Sequence, residues 1–229
     1  MSDSLDIISS YIDIPSDQLL NNIVFIGGGI VLTLELMIGG IIIGLILGAI
    51  LAIMRYSGLG VKTANCFISI IRGTPLLLQL SLFYFTLPNL FGLKLNLLTV
   101  GIITFGINSS AYVAEILRSG IESLPKGQFE AAQTLQIPRW PMWKDIILPQ
   151  VIRNILPALV NEFIALLKET AIISTLGGMD LMRRAQSIAA EQFTYFVPIC
   201  IAGIYYYTLI LFIEYIGRKI EKRVNYAKH

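Results

Sequence analysis

The chain has 229 residues, 55% of them apolar and only 14% charged, with a formal net charge of +2 and a mean hydropathy of +0.72. Soluble domains carry about 25% charged residues, and here the deficit is concentrated. Residues 36–54, 73–93, 95–114 and 192–213 contain no Asp, Glu, Lys or Arg over 19, 21, 20 and 22 residues, where roughly 20 suffice to cross a bilayer core as a helix. The pattern predicts an all-α, polytopic membrane bundle.

Several function classes drop out at once. The only histidine is the last residue, His229, which removes His-dependent triads and His-ligated metal sites. Cys66 and Cys200 lie in or beside apolar segments without metal-ligand spacing and read as small buried hydrophobes. No G-x-x-x-x-G-K-[ST] loop occurs, so the chain has no phosphate loop with which to hydrolyse ATP. No catalytic, metal or cofactor site is assigned to it, and nothing in the charge points to nucleic acid. Residues 1–22 hold Asp3, Asp6, Asp13 and Asp17 but no Lys or Arg, a composition unlike a cleaved signal peptide.

In chain order, residues 1–22 read as an extracytoplasmic segment. Residues 23–217 read as the membrane domain, with five spans at about 23–54, 64–87, 98–117, 151–173 and 195–216. The first carries a small residue every fourth position, Gly40, Gly44, Gly48 and Ala52, and the third a weaker copy in Gly106, Ser110 and Ala114. Such stripes let helix backbones approach closely, within the bundle or across a dimer interface. Thr74-Pro75 is expected to break the second span. The longest internal connection, 118–150, contains a short helix that Pro138 and Pro141 should end near Gln136. Phe129, Ala132, Leu135 and Gln136 share one side of it. Trp140 and Trp143 then suit either a bilayer interface or a protein contact. Residues 218–229 form a basic tail. With the N-terminus outside, 12 basic residues fall in inner segments and three in outer ones, which places the C-terminus and the 118–150 loop in the cytoplasm.

Charges within spans are expensive and usually face a cavity or the bundle interior. Glu162, beside Asn161, lies midway along the fourth span and suits an ammonium group or a structural partner. Asn108, Ser109 and Ser110, with backbone freed at Thr74-Pro75, suit a carboxylate. Lys168 and Glu169 near the outer end of that span, and Glu115 near the inner end of the third, read as a gating or structural network. Glu35 and Glu214 read as bundle contacts.

The motifs also carry a resemblance. Glu130-Ala131-Ala132 followed by Ile146-Ile147-Leu148-Pro149 resembles the E-A-A…G…I-x-L-P loop of ABC importer permeases. Gln136 stands where that loop has glycine, so its turn would require a left-handed conformation that Gln adopts only at a cost. Ile71-Arg72-Gly73-Thr74-Pro75-Leu76 with Gln79 resembles the R-G-T-P-L-x-x-Q stretch of permeases for polar amino acids. Ala111-Tyr112-Val113-Ala114-Glu115-Ile116 with Arg118 resembles their A-Y-x-A-E-I-x-R motif, and Asn161-Glu162-Phe163 with Leu167-Lys168-Glu169-Thr170 their N-E-F…L-K-[DE]-[TS] segment. Arg184-Ala185-Gln186 matches a further short stretch. The resemblance implies a membrane subunit of an amino-acid importer in the bacterial cytoplasmic (inner) membrane. It implies four kinds of partner: a second permease subunit, identical or sister; a cytoplasmic ATPase dimer that binds ATP and Mg; an extracytoplasmic amino-acid-binding protein; and the amino acid itself. By the same resemblance Glu130 meets a basic residue of the ATPase while Phe129, Ala132 and Leu135 seat the helix in its groove, Ala131 and Gln136 completing the docking helix; Thr74, Pro75 and Gln79, at the expected helix break, are expected to line the pathway. The competing readings are an autonomous ion-coupled carrier or channel, which five spans and a large docking loop suit poorly, and an intramembrane enzyme, for which no catalytic constellation is present.

Overall fold

The computed structural model describes residues 15–226 except Leu93, and these form helices joined by short turns with no strand among them. Three helical runs are long and apolar enough to cross a membrane, Asp17–Ser57, Leu97–Glu122 and Phe196–Val224, and a bent pair makes a fourth. The first run is α1 (Ser16–Gly27) and α2 (Ile30–Ser57), joined through Gly28-Gly29. The expected extracytoplasmic segment is thus partly helix from Ser16 onward, while residues 1–14 lie outside the described residues.

The second predicted span is not one straight helix. α3 (Val61–Gly73) ends at Thr74, and α4 (Leu76–Ser81), a π-helical turn (Leu82–Thr86) and α5 (Leu87–Phe91) leave it at 102°. The cause is local. Pro75 has no N–H to continue the ladder and pushes the residue before it out of helical space, and Thr74 is extended at φ −119°, ψ 143°. The same chemistry recurs later. A π-helical stretch at Met142–Ile147 precedes Pro149 as the one at Leu82–Thr86 precedes Pro88, a wide turn standing where the missing donor interrupts regular bonding.

α6 (Leu97–Glu122) is the central helix, started by Asn96, whose side chain accepts from the Thr99 N–H at 2.7 Å. It packs most extensively on α2. A Cβ on Gly48 would lie 2.6 Å from Val113 Cγ1, one on Gly44 2.8 Å from Ser109 Oγ, and one on Gly106 2.5 Å from Ile43 Cβ. The small-residue stripes therefore meet each other within one chain. After α7 (Lys126–Thr134) and α8 (Arg139–Pro141), α9 (Leu148–Glu169) runs back along α6. It is 22 residues long but carries Arg153, Glu162, Lys168 and Glu169.

A 3-10 segment (Thr170–Leu176) leads to α10 (Leu181–Glu191), which buries Leu181, Ala185, Ile188 and Ala189 against α1 and α11 (Phe196–Tyr226). α11 continues unbroken to Tyr226, so the described part of the basic tail is helix, with Arg218 paired to Glu214 at 2.7 Å. Three further expectations change. Cys66 and Cys200 are exposed, because each falls on the outer face of its helix. Glu35 is also exposed, on the stripe of α2 that shows Val31, Ile38, Ile42 and Ile46. Glu214 meets Arg218 of its own helix rather than the bundle.

The α2–α6 contact has a direct test. Gly48→Val overpacks a site with a backbone oxygen, Ser110 O, 2.9 Å from the new Cβ, and is expected to lower stability by about 2–3 kcal/mol, seen as a lower melting temperature in detergent. Gly203→Ala on α11, with no heavy atom within 4 Å of its Cβ, should leave the melting temperature unchanged or raise it.

Candidate translocation site and docking helix

Three buried polar side chains, Gln79, Asn108 and Ser109, meet where α6 faces the α3–α4 break and α9. At the break, Gln79 is 6% exposed. Its Nε2 donates to Ile71 O (2.8 Å), Thr74 Oγ1 (2.9 Å) and Thr74 O (3.2 Å), and its Oε1 accepts from Asn108 Nδ2 at 3.2 Å. Thr74 Oγ1 donates in turn to Ile70 O at 2.9 Å. Carbonyls freed by Pro75 are thus satisfied by one amide, which also ties the break to α6; left bare in hydrocarbon they would each cost several kcal/mol.

At the next residue, Ser109 Oγ donates to Glu162 Oε1 at 2.7 Å. Glu162 meets α6 through a hydroxyl, and no ion pair to it occurs among the described residues. Ser110 donates to Ile107 O of its own helix at 2.6 Å, and Asn161 is exposed. Glu162 lines a cavity of ≈ 390 Å³ together with Arg72, Tyr112, Glu115, Arg118 and Asn154, within the roughly 300–1,000 Å³ typical of small-molecule pockets. Asn108, Ser109 and Ser110 are buried behind it and do not line it.

Glu115 anchors the far end. Its Oε1 accepts from Arg55 Nη1 at 2.8 Å, its Oε2 from Arg118 at 2.9 Å, and Arg72 approaches Oε1 at 3.9 Å. Arg118 also pairs with Glu122 at 2.6 Å. This clamp joins the ends of α2, α3 and α6. Arg72 is its least committed member: its side chain is 45% exposed, and its guanidinium lies 5.4 Å from the Tyr112 ring centre. Glu115 does not share a network with Lys168 and Glu169. Ser109 meets Glu162, and α6 and α9 carry these groups away from that contact in opposite directions, which at 1.5 Å per residue separates them by about 20 Å. Lys168 is exposed on a separate crevice with Tyr206 and Tyr207, and Glu169 is half-buried.

Two structural contacts were not legible in the sequence, although Arg184 stood in a matched stretch. Arg184 donates through Nη1 to Phe25 O (2.9 Å) and through Nε to Met179 O (3.2 Å), with its guanidinium 5.1 Å from the Phe25 ring. It holds the α1–α2 joint against α10. Beside it, buried Asp180 caps α10 by accepting from the Arg183 N–H (2.8 Å) and also accepts from Tyr206 Oη (3.0 Å). Burial holds the Asp180 carboxyl above the usual aspartate range, partly offset by those two donors.

Helix α7, the candidate docking helix, ends in a full left-handed cap. Gln136 has φ 54°, the Ile137 N–H reaches Ala132 O at 3.0 Å and the Gln136 N–H reaches Gln133 O at 2.9 Å. These are the two bonds of a Schellman motif. Gln136 therefore adopts the turn that a glycine would make without strain. Phe129 and Ala132 face inward: Ala132 is 3% exposed in a core with Met142, Ile147 and Val151, and the Phe129 ring packs edge-on against Trp143 at 6.2 Å. They attach α7 to its own bundle, a role the sequence assigns to the partner's groove. What α7 offers outward is Glu130, Ala131, Leu135 (72% exposed) and Gln136.

An all-helical membrane bundle with an open cavity carrying charged groups, and an outward-facing helix on its longest connection, is an architecture suited to a membrane transport subunit. Residues 40–226 match the family described as the binding-protein-dependent transport system inner membrane component, and the chain belongs to that family. A Rickettsia typhi protein with the provisional name glutamine transport system permease protein GlnP is 50% identical over 88% of this chain and 94% of its own length. The arginine transport system permease protein ArtQ of Bacillus subtilis is 43% identical over 88% and 93%. Among solved structures, that of an amino acid ABC transporter with histidines superposes with a TM-score of 0.84 at 38% identity, covering 92% of this chain and 99% of that one.

Two measurements check this geometry. Glu115→Gln removes the charge that holds Arg55 and Arg118 and is expected to cost about 2 kcal/mol of stability, read as a lower melting temperature that high salt does not reproduce in the wild type. Gln136→Gly relieves a left-handed L-residue and should raise stability by about 1 kcal/mol; an unchanged or lower melting temperature would contradict the strained cap.

Proposed function

We propose that this chain, a permease subunit of a binding-protein-dependent importer, carries a polar amino acid inward across the bacterial cytoplasmic membrane. The observation that carries the reading is the ≈ 390 Å³ cavity with a carboxylate, Glu162, and a loosely held guanidinium, Arg72, on its wall. A zwitterion needs both. Glu162 receives its ammonium and Arg72 its carboxylate, in place of Asn108, Ser109 and Ser110, whose burial directs them to the bundle. Relatives named for glutamine and arginine transport support the substrate class.

The five spans include the bent second segment and the charged α9, with the N-terminus outside, as the 12-to-3 distribution of basic residues favours. Residues 23–217 are the membrane domain. ATP and Mg bind to a separate ATPase dimer, which contacts α7 through Glu130, Ala131, Leu135 and Gln136. A second permease subunit completes the pathway, and an extracytoplasmic binding protein delivers the amino acid. Nucleotide binding drives the bundle between outward-open and inward-open states by favouring one of them; the Gln79-stapled break and the Glu115 clamp are the joints available to move.

The test is ATPase activity in proteoliposomes holding this chain, its ATPase and its binding protein. One polar amino acid is expected to stimulate hydrolysis, and Glu130→Arg to abolish the stimulation while leaving the chain folded. Uptake by the chain alone, without an ATPase, would overturn the proposal in favour of an autonomous carrier.

A further inference from the structure

At the same end of the bundle as the Glu115 clamp, but on its outer side, lies a second cavity of ≈ 470 Å³. Ala49, Ile53, Leu117, Tyr56, Trp140 and Trp143 are among the residues that line it. Ala49 precedes Tyr56 by seven residues, so at 1.5 Å per residue the crevice runs about 10 Å up α2. It thus enters the apolar length of a membrane-spanning helix. Its surroundings are open: Ile53 is 65% and Trp140 74% exposed. The segment 139–147 that carries the two tryptophans also presents Arg139 and Lys144, both exposed, against one acidic residue, Asp145.

An apolar lining that includes two tryptophans, with an exposed cation next to each of them in the chain, is complementary to one kind of occupant, an amphipathic molecule with an anionic head. We propose that this crevice binds a membrane phospholipid, its acyl chain along α2 and its phosphate against Arg139 and Lys144. The inference depends on the chain spanning a bilayer and on nothing about its solute. Its consequence is mechanical. Trp143 packs edge-on against both Tyr56 of α2 (6.0 Å) and Phe129 of α7 (6.2 Å), so a chain seated beneath it supports the docking helix from below. Lipid at this site sets how firmly α7 is held when the ATPase pulls on it.

The chain contains only two tryptophans, both at the crevice, and its intrinsic fluorescence therefore reports on it. In full-length Trp140→Phe protein in liposomes, excited beyond the tyrosine absorption, Trp143 is the sole emitter. Phosphatidylglycerol brominated along the upper acyl chain is expected to quench most of its emission, and phosphatidylcholine with the same bromination less at equal mole fraction. Ala49→Leu, which fills the crevice, should restore most of the emission. Arg139→Gln with Lys144→Gln should remove the preference for the anionic lipid, an arm that stands even if Ala49→Leu does not fold. Emission indifferent to bromine would overturn the proposal, as expected if a second copy of the chain fills the crevice. Quenching that folded Ala49→Leu leaves unchanged would overturn it too, because it would come from lipid surrounding the bundle rather than from the site.

Discussion

The close approach of α2 and α6 is the constraint on which the other features rest. In lipid no hydrophobic force drives helices together, so dispersion contact across small residues has to do so. Gly40, Gly44 and Gly48 leave room for Phe105, Ser109 and Val113, and this fixes the height of α6 against α2. With that height set, Ser109 stands opposite Glu162, Asn108 opposite Gln79, and Arg55 at the foot of α2 reaches Glu115. One backbone contact thus places both ends of the polar cavity.

A second principle follows from proline. Three places where regular helix fails, Thr74-Pro75 and the π turns before Pro88 and Pro149, lie in the α3–α5 segment and at the entry to α9. Irregular backbone is tolerated at membrane depth only where it is covered by protein or lines a cavity. Gln79 supplies that cover at the first break. The bundle therefore combines a rigid α2–α6 pair with two helices that already contain joints, an arrangement suited to rocking around a fixed site.

Much of this was legible in the sequence because the physics is local. Charge-free runs mark the helices and Pro75 marks the break; the family resemblance, rather than local physics, singled out the loop between Glu130 and Ile146 and its left-handed turn, which Gln136 makes. What was hidden depends on contacts between residues distant in the chain. Nothing local tells that Phe129 and Ala132 face their own bundle through Trp143 and Met142, that Arg184 reaches back to Phe25, or that Asp180 meets Tyr206. Arg72 stood within a recognisable motif, yet only the cavity shows it sharing a lining with Glu162. Glu115 and Glu169 looked alike as intramembrane carboxylates and prove to occupy opposite ends.

The central claim is that the cavity between Glu162 and Arg72 carries the solute. Isotope-labelled amino-acid uptake into proteoliposomes, with ATP and saturating binding protein, measures it directly. The account predicts that Glu162→Gln lowers the uptake rate, that Ala158→Leu, which intrudes on the same cavity, lowers it further, and that both retain assembly with the ATPase. Uptake at the wild-type rate in both variants would contradict it and move the pathway elsewhere in the bundle.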